Sequence, residues 1–129
     1  MDFSFPTGKQ AQFQLKVEQR MTARTLKSGA LDVLGTPYLI ALMEAAAVKA
    51  IPLPEGYTSV GTLVNIQHTA ATPVGMQITV TATITGSEGR RVLFRVEAAD
   101  EKGPIGHGDH ERFIVDAQRF IDKTYAKLK

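Results

Sequence analysis

The stretch LGTPYLIALMEAAAVKAIP, residues 34–52, is apolar on almost every face of the helix that it spells. Its pattern predicts a helix over 36–50, opened by Thr36-Pro37 and stopped by Pro52 and Pro54, with Gly56 continuing the turn chemistry. A helix that is hydrophobic nearly all round has to be wrapped by other structure. One residue resists this reading. Glu44 stands near the middle, and a carboxylate in apolar surroundings is costly unless it is paired, hydrogen-bonded or protonated.

Working outward, the flanking segments supply the wrapping. QAQFQLKVEQR (10–20) alternates Phe13, Leu15 and Val17 with polar neighbours, the period of a half-buried strand. MTARTLKSGALDVLG (21–35) reads as a loop with a short helical turn. Beyond the helix the period changes to two. TSVGTLVNIQHTAA (58–71) is β-rich and puts Val64, Ile66 and His68 in one inward phase. After a TPVG turn, MQITVTATIT (76–85) alternates Met76, Ile78, Val80, Ala82 and Ile84 with Gln or Thr. GSEG (86–89) reads as a hairpin loop, and RRVLFRVEAAD (90–100) turns Val92, Phe94, Val96 and Ala98 inward. EKGP turns the chain again into IGHGDHERFIV (105–115), a strand loosened by glycine, and DAQRFIDKTYAKLK is an amphipathic C-terminal helix. Strands joined by short turns imply an antiparallel sheet, and the simplest packing curls that sheet around the apolar helix. The expected class is α+β, one domain over residues 1–129, with no repeat, low-complexity tract or linker dividing it.

Composition narrows the function classes. At 129 residues, 43% hydrophobic and 22% charged, the chain has the make-up of a soluble globular domain with a single core. It has no cysteine, which removes disulfides, thiolate zinc sites and a thiol nucleophile, and fits a reducing compartment. The N-terminus MDFSFPTGKQ lacks the basic and apolar regions of a secretory signal, and the longest apolar run, within 37–48, is interrupted by Glu44. A cytoplasmic protein without a membrane span is expected. The net charge is +2, with Lys and Arg scattered except in KTYAKLK, a solvated helix end. With no Trp and no aromatic-basic interleaving, no nucleic-acid partner is expected.

Several polar residues have two readings each. Thr36 is a helix cap, or a hydroxyl beside free helix N–H groups that attacks a substrate or holds a water. Glu44 lies eight residues on, about 80° around the axis, so both side chains can border one cleft. Its other reading is a carboxylate paired with a cation across an interface or reaching solvent at a sheet edge. Lys49, at i+5, is poorly placed to pair with it. His68 is a hydrogen-bonded core histidine or, with a hydroxyl and a carboxylate, an ingredient of acyl transfer. Gly61 offers a bare backbone N–H to a substrate carbonyl, or is a bulge or simple strand start. His107 and His110 are three apart on a strand, so they point to opposite faces, and no metal site is expected. Arg112 binds a phosphate or carbonyl of the substrate, or makes a surface ion pair.

Four stretches together, GTPYLIALMEAAAV, VGTLVNIQHTAATPVG, GSEGRRVLFRVEA and IGHGDHERFIV, resemble the hotdog-fold thioesterases, and among them the fluoroacetyl-CoA-specific branch. They run in order from about residue 33 to 115, and HTAATP and HER are the more specific motifs. The resemblance implies a hotdog fold, a curved antiparallel sheet around a central helix, paired into a homodimer with the site near the interface. It implies an acyl-CoA substrate and no cofactor. It carries catalytic roles onto Thr36, Glu44 and His68, an oxyanion-associated role onto Gly61, and a substrate-binding role onto Arg112. The fluoroacetyl-specific branch also places aromatic residues just ahead of its threonine, whereas RTLKSGALDVLG (24–35) has none. The expectation is therefore a general acyl-CoA hydrolase. Its rival is a non-catalytic acyl-CoA-binding or regulatory module on the same fold, against which a carboxylate near a histidine argues mildly. A hydratase on this fold would want a different acid–histidine motif, which the sequence lacks.

Overall fold

The computed structural model describes residues 3–129. Five strands, β1 (Gln10–Lys16), β2 (Tyr57–His68), β3 (Gln77–Glu88), β4 (Arg91–Asp100) and β5 (Gly103–Asp116), form one antiparallel sheet in the order β1-β3-β4-β5-β2. The helices are α1 (Ala23–Leu26), α2 (Thr36–Ala50) and α3 (Ala117–Tyr125). The chain leaves β1 at one edge of the sheet, crosses the concave face as α2, and enters β2 at the opposite edge.

The alternation in β3 and β4 explains why α2 lies where it does. Ile78, Val80, Ala82 and Ile84 of β3 and Val92, Phe94, Val96 and Ala98 of β4 form one buried inner row. Against it α2 buries Leu39, Leu42, Met43, Ala46, Ala47 and Ala50. Each larger aliphatic side chain so buried contributes roughly 1.5–3 kcal/mol, and the alanines let the helix axis approach the sheet. The outer face of β1 carries Gln10, Gln12 and Gln14, which hydrogen-bond Thr83, Thr81 and Gln77 of β3.

The helix bounds match the sequence expectation, but its surroundings do not. Pro37, Ala41, Ala45 and Val48 make an exposed stripe along α2, so one sheet wraps it on one side only. On β2, Val64 was expected inward with Ile66 and His68, yet it is 40% exposed and Leu63 beside it 49%. The reason is position: β2 is an edge strand, and beyond it no further strand among the described residues covers that flank. The two edges differ. β1 is short and polar on its outer face, with one edge carbonyl taken by Lys49 Nζ on Gln12 O at 3.0 Å, whereas β2 runs twelve residues with apolar side chains in the open.

The expected GSEG loop is also revised. Gly86–Glu88 belong to β3, where the register slips between Ile84 and Gly86, and the turn itself is Gly89-Arg90 with Gly89 at φ +60°. No helix among the described residues is long and apolar enough to cross a membrane.

Candidate active site

The polar candidates fall into two groups, one at the start of α2 and one near its middle. At its start, the N-cap is Gly35, with Thr36 and Pro37 as the first two helical residues. This overturns the capping reading: no side chain caps the helix, and the Thr36 hydroxyl is released for another partner. Its Oγ1 lies 2.8 Å from Nδ1 of His68, at the last residue of β2. Gly35 N–H donates to Met21 O, Pro37 has no N–H, and Leu39 N–H already donates to Gly35 O. The free amides of the first turn are therefore those of Thr36 and Tyr38. His68 is partly buried, and its Nε2 is buried without a partner among the described residues. Burial lowers its pKa below the usual histidine value, against the opposing effect of a backbone hydrogen bond at Ala70. The imidazole is thus held toward the neutral form, a base beside a hydroxyl. A cleft of about 270 Å³ opens here, walled by Ala23, Ser28, Val33, Ala70 and Ala71. No aromatic residue lines it, in keeping with the sequence of the segment ahead of Thr36.

Two turns further on, Glu44 meets a different set of groups. Its Oε2 accepts from Arg112 Nη1 at 2.9 Å. The guanidinium is buried and otherwise held: Nε donates to Ser59 Oγ at 2.8 Å, Nη2 to Ser59 O at 3.0 Å, and Nη1 lies 3.2 Å from His110 Nε2. His110 is 2% exposed, stacked on Phe94, with Nδ1 2.7 Å from the carbonyl of Leu63. Gly61 passes beneath this carboxylate. A Cβ on residue 61 would stand 2.5 Å from Glu44 Oε2, at a point where β2 bulges against β5 between Gly61 and Leu63.

The structure therefore joins Thr36 to His68, and Glu44 to Arg112 and Gly61, but it does not bring the two sets together within one chain. Glu44 follows Thr36 by eight positions along α2, a rise of about 12 Å. Arg112 was read as a surface ion pair or a substrate ligand; it is a buried partner of Glu44. Ser59 and His110 were not singled out for this role. The signal for His110 and Arg112 was present, because Gly106, Gly108, His110, Arg112 and Ile114 share one inward phase of β5. Among the described residues no cluster of His, Cys, Asp or Glu is arranged to hold a metal.

With this geometry in place, comparison with known proteins decides the family. Residues 17–118 match the model of the fluoroacetyl-CoA-specific thioesterases. The chain belongs to that family. It is 42% identical over 98 residues, 74% of this chain and 70% of the relative, to the fluoroacetyl-CoA thioesterase of Streptantibioticus cattleyicolor. A crystal structure of a fluoroacetyl-CoA thioesterase superposes with a TM-score of 0.92 at 35% identity, covering 96% of this chain and 98% of that one. A thioesterase superfamily member from Thermus thermophilus gives 0.87 at 33%, covering 97% and 93%. A hot-dog-like protein from Thermanaerovibrio acidaminovorans gives 0.88 at 30%, covering 97% and 94%. The fold is the hotdog fold, and the protein, as a member of this thioesterase family, is a thioester hydrolase.

Proposed function

We propose that the protein is a homodimeric acyl-CoA thioesterase whose reaction site takes Thr36 and His68 from one protomer and Glu44 from the other. The observation that carries this reading is the 2.8 Å contact between Thr36 Oγ1 and His68 Nδ1 at the start of α2. In this arrangement the thioester carbonyl carbon meets Thr36 Oγ1 or a water that it holds, and His68 Nδ1 takes the proton. The carbonyl oxygen gathers negative charge against the free amides of Thr36 and Tyr38, at the positive end of a fifteen-residue helix. The C–S bond then breaks, and the CoA thiolate recovers a proton. If Thr36 itself attacks, water hydrolyses the resulting ester by the same base.

The second protomer enters for two reasons. An open, twelve-residue, partly apolar edge on β2 and the exposed stripe on α2 are surfaces that a second copy would cover. Antiparallel pairing of β2 with its own copy, about an axis near Val64-Asn65, would set the partner's Gly61 opposite His68. With Gly61 comes the Glu44–Arg112 pair. The carboxylate would then face the unpartnered Nε2 of His68, and the bare backbone at Gly61 would flank the carbonyl oxygen. The small-residue cleft supports an acyl group chosen by size rather than by contact with an aromatic lid.

The test is release of free CoA from a panel of short, branched, long and aryl acyl-CoAs, read with a thiol reagent to which the cysteine-free protein is silent. Turnover is expected for a subset. Thr36→Ala/His68→Ala and Glu44→Ala dimers are expected to be inactive separately and to regain activity after subunit exchange, since one site of the mixed dimer is complete. Activity lost in both and not regained on mixing would place all three groups in one chain. Binding of acyl-CoA without turnover would leave only a binding module.

A further inference from the structure

We propose that His110 is a positioning residue for the reaction: a neutral imidazole, fixed in one tautomer, that holds Arg112 and through it aims Glu44. This rests on the proposed role of Glu44. Leu63 O accepts a hydrogen bond and cannot donate one, so His110 Nδ1, 2.7 Å away, carries the proton. The other nitrogen, Nε2, then keeps its lone pair, and it faces Arg112 Nη1 at 3.2 Å. A guanidinium has only donors, so this contact is a hydrogen bond solely when His110 is neutral. Both ring nitrogens are satisfied, and the ring plane is held by stacking on Phe94 at 5.8 Å between centroids.

The consequence passes outward through Arg112. Of its five donors, Nε and one on Nη2 go to Ser59, while the two on Nη1 divide between His110 and Glu44. Without an acceptor at His110 Nε2, one Nη1 hydrogen would lose its partner in a buried site, and the guanidinium would turn to recover one. Glu44 would follow it, because Oε2 is tied to that nitrogen and packed over Gly61, leaving Oε1 as the oxygen free to work. The charged groups around His110 are Arg112, Glu44 and Glu111. A misplacement of about 1 Å in a reacting group can cost on the order of a hundredfold in rate.

The test uses the full-length protein. His110→Phe keeps a ring against Phe94 and removes the acceptor; His110→Gln can set an amide oxygen near the place of Nε2. Expected for His110→Phe is a kcat lowered roughly ten- to a hundredfold with KM within about twofold. His110→Gln is expected to recover most of that loss, and His107→Phe, on the opposite face of β5, to change nothing. A fully active His110→Phe, or a His110→Gln no better than it, would overturn the proposal. Glu44→Gln is measured alongside. If it keeps full activity, the role of Glu44 fails, and that failure is told apart from a failure at His110 by a readout that needs no variant. In long-range 1H–15N spectra of the wild-type histidines, His110 is expected as the neutral Nδ1–H tautomer. The Nε2–H tautomer or an imidazolium at neutral pH would overturn the assignment whatever the kinetics show.

Discussion

The start and the middle of α2 are built on opposite terms. Around Glu44 nearly every donor has an acceptor: Arg112 alone makes four contacts, and His110 uses both its nitrogens. Around Thr36, among the described residues, there is one side-chain hydrogen bond, with two amides and a histidine nitrogen left unpartnered. Buried polar groups are ordinarily paired, so a saturated cluster is a support and an unsaturated one is where something else is to bind. On the proposed mechanism, the difference separates Arg112 and His110, which would hold Glu44 in place, from Thr36 and His68, which would meet the substrate directly. It also makes a prediction about mutants, since truncating His68 should act on rate with little loss of stability, whereas truncating Arg112 should cost stability as well.

The largest effect is expected at the sparse end. His68→Ala should lower kcat by about two to four orders of magnitude, the usual worth of a general base, while leaving the melting temperature close to that of the wild type. Little holds this side chain beyond one hydroxyl, so little stability goes with it. Arg112→Ala is the mirror image. It orphans His110 Nε2 and both acceptors on Ser59, and should cost about 1–3 kcal/mol, visible as a lower denaturant midpoint. The value stays below that for a fully buried pair, because Glu44 is 37% exposed and water can take over its oxygen. A His68→Ala protein that is strongly destabilised, or an Arg112→Ala protein as stable as wild type, would erase the contrast.

A smaller effect comes from the glycine beneath Glu44. The Cβ in Gly61→Ala would collide with Glu44 Oε2, and the nearby Arg112 Nη1 and His110 Cε1, each 3.4 Å away, leave limited room to one side. The carboxylate must therefore swing toward solvent, lengthening its bond to Arg112. Activity should fall roughly tenfold, with stability changed by less than the loss of Arg112 itself. A larger fall at unchanged Glu44 geometry, read from a crystal structure of the variant, would instead assign Gly61 a direct contact with the substrate.

How far this was legible in the sequence depends on what each pattern measures. Periodicity reports which face of an element is apolar, so α2 and the rows of β3 and β4 were readable residue by residue. It does not report whether anything covers that face, and Val64 and the stripe from Pro37 to Val48 were misread as interior for that reason. Thr36 was off by one position in the cap, because Gly35 and Thr36 both suit a helix start and only the backbone shows which takes the N-cap. His110 and Arg112 sat in phase with Ile114, but a charged residue in a strand is ordinarily a surface residue, and an inward arginine makes sense only once its carboxylate is known. Sequence could propose Glu44 as costly; the fold supplies the cation that offsets the cost.

The smallest effect is a pH dependence that the two clusters share. Burial is the leading cause that lowers the pKa of both His68 and His110, and Arg112 lowers that of His110 further, against the Leu63 carbonyl and two glutamates. In the unfolded chain each histidine returns to about 6.5. Above that value both states are neutral and these residues give no slope. As pH falls below it, the unfolded chain takes up protons that the folded one refuses, so stability declines until the folded values are reached, by at most about 1.4 kcal/mol per pH unit for each histidine. Denaturant midpoints measured from pH 7.5 to pH 5.5, above the main range of carboxylate titration, should therefore fall. His110→Gln should remove the His110 share of that slope and leave the His68 share. If wild type and His110→Gln lose stability in parallel, then folding does not lower the pKa of His110, and His68 alone of the two gives the slope.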